Sequence, residues 1–113
     1  MLKTFDSNAL YGQLGLQDGP LIVDVRTAEH LQHSGEFVPS AVRVDPDGIE
    51  QWCRRLTTHR PVAVYSSDDA ASNAMVALLE SRGIAAGTLT GGFDEWRRNG
   101  MPTVRARQEY RVP

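Results

Sequence analysis

The chain has 113 residues, of which 41% are apolar and 23% are charged, and its formal net charge is −2. This length supports one domain with a substantial core, but not two ordinary domains. The slightly acidic balance and the lack of a basic, aromatic-rich stripe exclude a nucleic-acid-binding domain. No apolar run approaches the ~20 residues that a membrane-spanning helix needs.

Cysteine content and the first residues set further expectations. The chain has a single cysteine, Cys53, which excludes an internal disulfide and a cysteine-rich metal site. Residues 1–8 lack the cationic start and apolar centre of a signal peptide. We therefore expect a cytoplasmic protein that has no membrane partner, no metal centre and no cofactor.

The first half of the chain is predicted to alternate helices and strands. Residues 4–14 have the spacing of an amphipathic helix, with Asp6 or Ser7 as its N-cap. The next predicted elements are a strand over 21–25, a short helix over 28–33 capped by Thr27, an irregular stretch over 35–40 and a strand over 42–44.

The second half continues the alternation. Asp45 and Pro46 place a cap and a proline at the start of a helix that runs to about residue 56. The later predicted elements are a buried strand over 62–65, a helix ending at Arg82 and Gly83, a strand over 87–90 and a helix over 93–98. This order predicts a parallel sheet with helices on both faces, in a single domain over 1–104 with an arginine-rich tail over 105–113.

The loop between the 62–65 strand and the next helix is the candidate functional site. In an open parallel sheet, ligands usually bind where a strand ends and a helix begins. The free N–H groups and the dipole of the helix N-terminus favour an anion there. This loop, however, contains Asp68 and Asp69 and no cationic residue.

Several motifs, in this order and spacing, resemble the rhodanese-like domains over roughly residues 5–104. They are Asp24-Val25-Arg26 at a strand end, residues 37–41 in place of the family's His-Ile-Pro-Gly-Ala turn, the 62–65 strand with its loop and helix, and residues 89–96 followed by Gly100-Met101-Pro102. The resemblance implies a compact α/β fold with a five-stranded parallel sheet.

The same resemblance implies that the reactive loop is degenerate. Active members of the family carry a cysteine directly after this strand, and that cysteine holds a persulfide during sulfur transfer. Ser66 occupies the position here, and a serine cannot form a persulfide. Other family positions have also changed: Ser67 and Ala71 replace arginines, and Asp69 replaces a glycine. The leading hypothesis is therefore a catalytically inactive module with a binding or regulatory role.

The loop is then a candidate ligand-binding segment rather than a catalytic one. Its degenerate positions are Ser66, Ser67, Asp68, Asp69, Ala70 and Ala71, and the candidate ligand-binding residues are Ser66, Ser67, Asp68, Asp69 and Ser72. Three interpretations of the two aspartates remain open: helix capping, a carboxylate that fills the pocket itself, or a cation site. The expected partner is a protein or a small ligand of unknown identity.

Two enzymatic alternatives remain. Cys53 could act as a displaced thiol in sulfur transfer, although its spacing from Ile49, Trp52 and Leu56 places it on one apolar helix face. Ser66 could instead be the nucleophile of a hydrolase if the fold brings a histidine to it. The candidates for that base are His30, His33 and His59.

The remaining residues of interest are expected to be structural. In the family, the pair at Asp24 and Arg26 ties the strand to neighbouring loops. Trp96 and Phe93 are expected to pack the last helix onto the sheet. The arginines near the C-terminus fit a solvated surface or a contact with an acidic protein, and they are Arg97, Arg98, Arg105, Arg107 and Arg111.

Overall fold

The computed structural model describes residues 3–67 and 69–105, except for the side chains of Lys3 and Asp69. The strands are β1 (Lys3–Phe5), β2 (Leu21–Asp24), β3 (Glu36–Phe37), β4 (Val42–Arg43), β5 (Val62–Tyr65), β6 (Ala86–Leu89) and β7 (Val104–Arg105). The helices are α1 (Ser7–Gln13), α2 (Ala28–Ser34), α3 (Ile49–Arg55), α4 (Asp69–Ser81) and α5 (Gly92–Arg98), and a 3-10 turn over Pro46–Gly48 precedes α3.

Five strands form one parallel sheet in the order β1-β6-β5-β2-β4. The predicted α/β fold with a five-stranded parallel sheet is therefore confirmed. In the register, Asp24 of β2 lies between Tyr65 of β5 and Arg43 of β4. Because all five strands are parallel, their carboxyl ends lie along one edge of the sheet, and Asp24 and Ser66 belong to that edge.

Helices cover both faces of the sheet, as predicted. Alternate residues of β5 point to opposite faces, so Val62 and Val64 belong to one apolar cluster and Ala63 and Tyr65 to the other. The first cluster packs α3 and α4 onto the sheet, and the second packs α1 and α5. Within the described residues, no helix combines the length and the apolar character that crossing a bilayer requires.

Most predicted helices begin and end close to where local signals place them. Asp6 caps α1 through the amide of Ala9, and Thr27 caps α2 through the amide of His30. Asp45 caps the turn that leads into α3. Each side chain supplies an acceptor to an otherwise unpaired first-turn N–H group, which is why the sequence signal is strong.

Two predictions were wrong at the margins of the fold. Residues 3–5 form β1 rather than the start of the first helix, because they pair with β6, with Phe5 opposite Leu89. The stretch over 35–40 is not wholly irregular, because Glu36 and Phe37 form β3 and pair antiparallel with β7. Such short strands depend on distant partners, so neither leaves a local periodic signal.

Candidate functional site

Ser66 directly follows β5 at the carboxyl edge of the sheet. The residue is only 4% exposed. Its carbonyl oxygen accepts a hydrogen bond from the amide of Phe93 at 3.3 Å. The first residue of the loop is therefore tied through its backbone to the first turn of α5.

Gly92 makes this close approach possible. A Cβ atom built on Gly92 would lie 2.4 Å from the carbonyl oxygen of Ser66. The residue also has φ +63, in the left-handed region that favours glycine. Two separate constraints, space and backbone conformation, therefore require glycine where α5 meets the loop.

The other loop residues differ in burial. Ser67 is half-buried, Ala70 is exposed, and Ala71 is half-buried and packs against the cluster beneath α3 and α4. Ser72, in the first half of α4, is only 2% exposed. The loop and the start of α4 thus contain two buried polar residues, Ser66 and Ser72.

The predictions for the aspartates lie largely outside the described residues. Asp68 is not described, and Asp69 is described only as the first residue of α4. Their roles as caps, as pocket-filling carboxylates or as cation ligands remain predictions. Among the residues whose side chains are described, no three His, Cys, Asp or Glu residues come together as a metal-binding group.

A buried ion pair lies beside the loop, at the end of β2. Asp24 and Arg26 are 1% and 2% exposed. The Arg26 guanidinium donates to both carboxylate oxygens of Asp24, from Nε at 3.1 and 3.0 Å and from Nη2 at 2.6 Å. The Arg26 amide adds a fourth bond to the carboxylate at 2.9 Å. Two charges can remain inside the domain because they are paired and hydrogen-bonded.

Tyr65 links this ion pair to the end of β5. Its hydroxyl donates to Asp24 Oδ2 at 2.7 Å and accepts from the amide of Val38 at 3.1 Å. Burial, followed by the neighbouring carboxylate of Asp24, raises the pKa of the Tyr65 hydroxyl well above its usual value. Tyr65 therefore stays protonated and acts as a fixed bridge between β2, β5 and the segment after β3.

The cation of the pair also reaches α5. The guanidinium carbon of Arg26 lies 4.2 Å from the centre of the Phe93 ring and 5.5 Å from that of Tyr65. Arg26 Nη2 additionally donates to the carbonyl of Glu36 at 2.6 Å. This edge of the sheet thus contains a cation, but Arg26 is engaged by its own carboxylate, two aromatic rings and the backbone of β3.

Cys53 lies in a different part of the molecule. It is 1% exposed and belongs to the apolar cluster under α3 and α4. Burial raises the pKa of the Cys53 thiol, and the charge of Arg82 only partly opposes this rise. Arg82 follows the last turn of α4, whereas Ser66 precedes its first. Because α4 has 13 residues and rises 1.5 Å per residue, its two ends, near Ser66 and near Arg82, are about 20 Å apart.

The three histidines are all exposed. His30 and His33 lie on α2, and His59 lies in the connection that enters β5 from the amino edge of the sheet. Ser66 is buried. This difference in burial does not favour the close nucleophile–base pair that a serine hydrolase requires.

Trp96, predicted to pack the last helix onto the sheet, has no exposed surface. It belongs to the cluster under α1 and α5, together with Phe93. Its indole Nε1 donates to the carbonyl of Pro102 at 2.8 Å. The side chain therefore contacts both the core and the chain that follows α5.

Sequence reasoning missed two residues that define the site. The signal for Tyr65 was available, because parallel register places the last residue of β5 beside the last residue of β2. The sequence-based prediction uses Tyr65 only as a residue of an apolar strand. The close contact of Gly92 with Ser66 could not be inferred, because it depends on how two separate loops meet in space.

Comparisons with known proteins agree with this architecture. The family model described as "Rhodanese-like domain" matches residues 9–99. The chain therefore belongs to the family of rhodanese-like domains. No curated protein matches the chain.

Solved structures show the same fold. A rhodanese-related protein from Thermoplasma volcanium is 20% identical, with a TM-score of 0.78 over 90% of this chain and 97% of that one. A rhodanese-like domain protein from Staphylococcus aureus is 25% identical, with a TM-score of 0.72 over 84% and 91%. A thiosulfate sulfurtransferase from Pseudomonas aeruginosa is 22% identical, with a TM-score of 0.78 over 96% of this chain but only 20% of that one.

Proposed function

We propose that this rhodanese-like domain is a non-catalytic module that binds a protein or a small ligand through the loop over residues 66–72. The observation that carries the proposal is that the Cys53 thiol does not lie in the loop that follows β5. The residue after β5 is a serine, and the single cysteine, Cys53, is 1% exposed in the core under α3 and α4.

The chemistry of sulfur transfer explains why this separation matters. The attacking group must be a thiolate, and it must keep the transferred sulfur as a persulfide. The hydroxyl of Ser66 has no sulfur to extend. Cys53 has a thiol, but its raised pKa favours the protonated form, and its burial denies access to a donor.

Charges at the carboxyl edge also disfavour an anionic sulfur donor, because Arg26 and Arg43 are paired with Asp24 and Asp45 and further carboxylates lie at the helix ends. The first turns of α2 and α5 carry Glu29 and the pair Asp94 and Glu95. Asp47 occupies the corresponding position in the turn before α3. These carboxylates lie in the first turns, near the positive ends of the helix dipoles, so they lower the capacity of those ends to attract another anion.

The direct test is transfer of sulfur from thiosulfate to cyanide, measured as thiocyanate formed by the purified protein. We expect no turnover above that of the heat-denatured protein, and no change in Cys53→Ser. Turnover that persists in Cys53→Ser would contradict the proposal. Turnover that disappears in Cys53→Ser would support the first alternative, a sulfurtransferase that uses a displaced thiol.

Accessibility of Cys53 provides an independent check on that alternative. A thiol that is buried and mainly protonated should react slowly with iodoacetamide in the native protein and rapidly in denaturant. We expect labelling of the native protein to be limited by unfolding. Rapid native labelling at neutral pH would show that a donor can reach Cys53.

Rebuilding the family's loop tests the other half of the proposal. The combined variant Ser66→Cys, Ser67→Arg, Asp69→Gly and Ala71→Arg supplies a thiol and two guanidinium groups. We expect this variant to bind sulfate in calorimetry, whereas the unaltered chain does not. The single variant Ser66→Cys is the matched control and should not bind sulfate. A folded combined variant without sulfate binding would contradict our account of the loop.

A further inference from the structure

The chain that follows α5 is fastened to the domain at several points. We call residues 101–105 the C-terminal strap. The strap is held by the bond from Trp96 Nε1 to Pro102 O at 2.8 Å and by the bond from Thr103 Oγ1 to Glu36 Oε1 at 2.6 Å. Its last two residues form β7 and pair with β3. The strap lies beyond residue 99, where the family match ends.

The inner side of the same segment contacts the buried ion pair. The carbonyl of Glu36 accepts from Arg26 Nη2 at 2.6 Å, and the amide of Val38 donates to the Tyr65 hydroxyl at 3.1 Å. Residues 36–38 are therefore held from outside by the strap and from inside by Arg26 and Tyr65. Loss of the outer contacts would leave the inner ones, the bonds between Ser34 Oγ and the Glu36 backbone, and the buried side chain of Val38 to hold this segment.

The two side chains that make these inner contacts, Arg26 and Tyr65, are also connected to Ser66. Tyr65 directly precedes Ser66 in the chain. Arg26 stacks on the ring of Phe93 at 4.2 Å, and the amide of Phe93 donates to the carbonyl of Ser66 at 3.3 Å. The contacts that position residues 36–38 thus involve the same side chains that fix the start of the loop.

We infer that the C-terminal strap is a conformational device that controls the order of the loop. With the strap seated on β3, residues 36–38 hold Arg26 and Tyr65 in place, and these side chains hold Phe93 and Ser66. With the strap released, the start of the loop loosens. Release is the easiest opening in this region, because β7 pairs through only two residues and Val104 is 38% exposed. The inference does not depend on whether the domain transfers sulfur.

Hydrogen exchange of individual amides, followed by NMR, tests this coupling. Thr103→Val removes the hydroxyl donor to Glu36, and Thr103→Ser keeps it as the matched control. We expect Thr103→Val to accelerate exchange at the amides of Val38 and Phe93 by about fivefold, the change that a hydrogen bond of ordinary strength gives. Thr103→Ser should leave both rates near those of the unaltered protein.

The amide of Thr90 donates to Phe5 O at 2.8 Å at the opposite edge of the sheet, and it is expected to exchange when the three-residue edge strand β1 opens locally with the strap still seated. It should exchange at the same rate in all three proteins. Equal acceleration at Thr90, Val38 and Phe93 would mean that Thr103 contributes only to overall stability, and it would overturn the inference. Acceleration confined to Val38, or no acceleration, would also overturn it, because the coupling to the loop requires both amides to respond.

Discussion

The ends of β2 and β5 lie side by side at the carboxyl edge of the sheet. The residues at the end of β2 agree with the family resemblance, whereas the residue after β5 departs from it. At the end of β2, Asp24 and Arg26 form a buried ion pair with every carboxylate oxygen hydrogen-bonded. At the end of β5, Ser66 replaces the reactive cysteine that the family resemblance leads one to expect. The first strand end stabilises the fold, whereas the second would carry the chemistry.

The difference indicates that the stability of the fold and the chemistry of the loop depend on different residues. Removing a partner from the ion pair would leave a bare charge in the core, which the fold can hardly tolerate. Replacing a thiol with a hydroxyl at residue 66 changes one small side chain and leaves the backbone bond to Phe93 intact. Under the proposed function, residue 66 can therefore change while the scaffold around it remains under the same constraints.

The largest expected effect comes from breaking the ion pair. Arg26→Ala should lower the free energy of unfolding by about 3–5 kcal/mol, because Asp24 would then be buried without a counter-ion. Ser66→Ala should cost only about 1 kcal/mol, the usual contribution of one hydrogen bond. Urea denaturation of both variants, followed by circular dichroism, measures this contrast.

Replacing both charges separates pairing from packing. Asp24→Leu combined with Arg26→Met keeps apolar volume and removes both charges, so it should cost less than Arg26→Ala alone. A double variant that is less stable than the single variant would mean that packing against Phe93, rather than charge compensation, is the main contribution of Arg26.

The contact between the two loops should give the next largest effect. In Gly92→Ala, the new Cβ atom would lie 2.4 Å from the carbonyl oxygen of Ser66. Gly35→Ala is the matched control, because Gly35 has a similar φ of +67 but no atom lies within 4 Å of its Cβ position. The left-handed conformation should cost about 1–2 kcal/mol in each variant. The clash should cost Gly92→Ala about 1–3 kcal/mol more.

Thermal denaturation of the two glycine variants under identical conditions isolates the clash, since the backbone cost is common to both. Equal losses of stability would show that the loop of Ser66 can shift to accept a side chain at residue 92. The close contact would then not fix the position of the loop.

Local signals allowed much of the fold to be predicted. The strand over 62–65 and the capping residues Asp6, Thr27 and Asp45 were identified because each depends on nearby residues alone. By contrast, β1, β3 and β7 were missed. Each has two or three residues and exists only because a distant segment supplies its hydrogen bonds.

The candidate site also contains some features that depend on residue identity alone and others that depend on distant contacts. The sequence shows a serine at residue 66, where the family resemblance implies a cysteine. Parallel register offered a signal for the Tyr65 hydroxyl that the sequence-based prediction did not use, whereas the space at Gly92 could not be predicted, because it depends on how two loops meet. Sequence reasoning therefore located the loop but did not predict the contacts that hold it.

A smaller effect than those of the ion pair and of Gly92 is expected for the Tyr65 bridge between the two strand ends. Tyr65→Phe removes the donor to Asp24 and leaves the amide of Val38 without its acceptor, so it should cost about 1–3 kcal/mol at neutral pH. Folding raises the pKa of the Tyr65 hydroxyl, so the unfolded chain releases this proton at lower pH than the native protein does. Stability from this group is therefore complete below about pH 10 and is lost as the pH rises further.

Tyr65→Phe should consequently remove a decline of up to about 1.4 kcal/mol per pH unit above pH 10, measured as the difference between the two unfolding free energies. Tyr11→Phe is the matched control, because the Tyr11 side chain is 52% exposed; its stability should decline with pH as in the unaltered protein. If Tyr65→Phe and the unaltered protein lose stability in parallel above pH 10, the buried hydroxyl does not bridge β2 and β5 as a protonated donor, and the two strand ends are held by the ion pair alone.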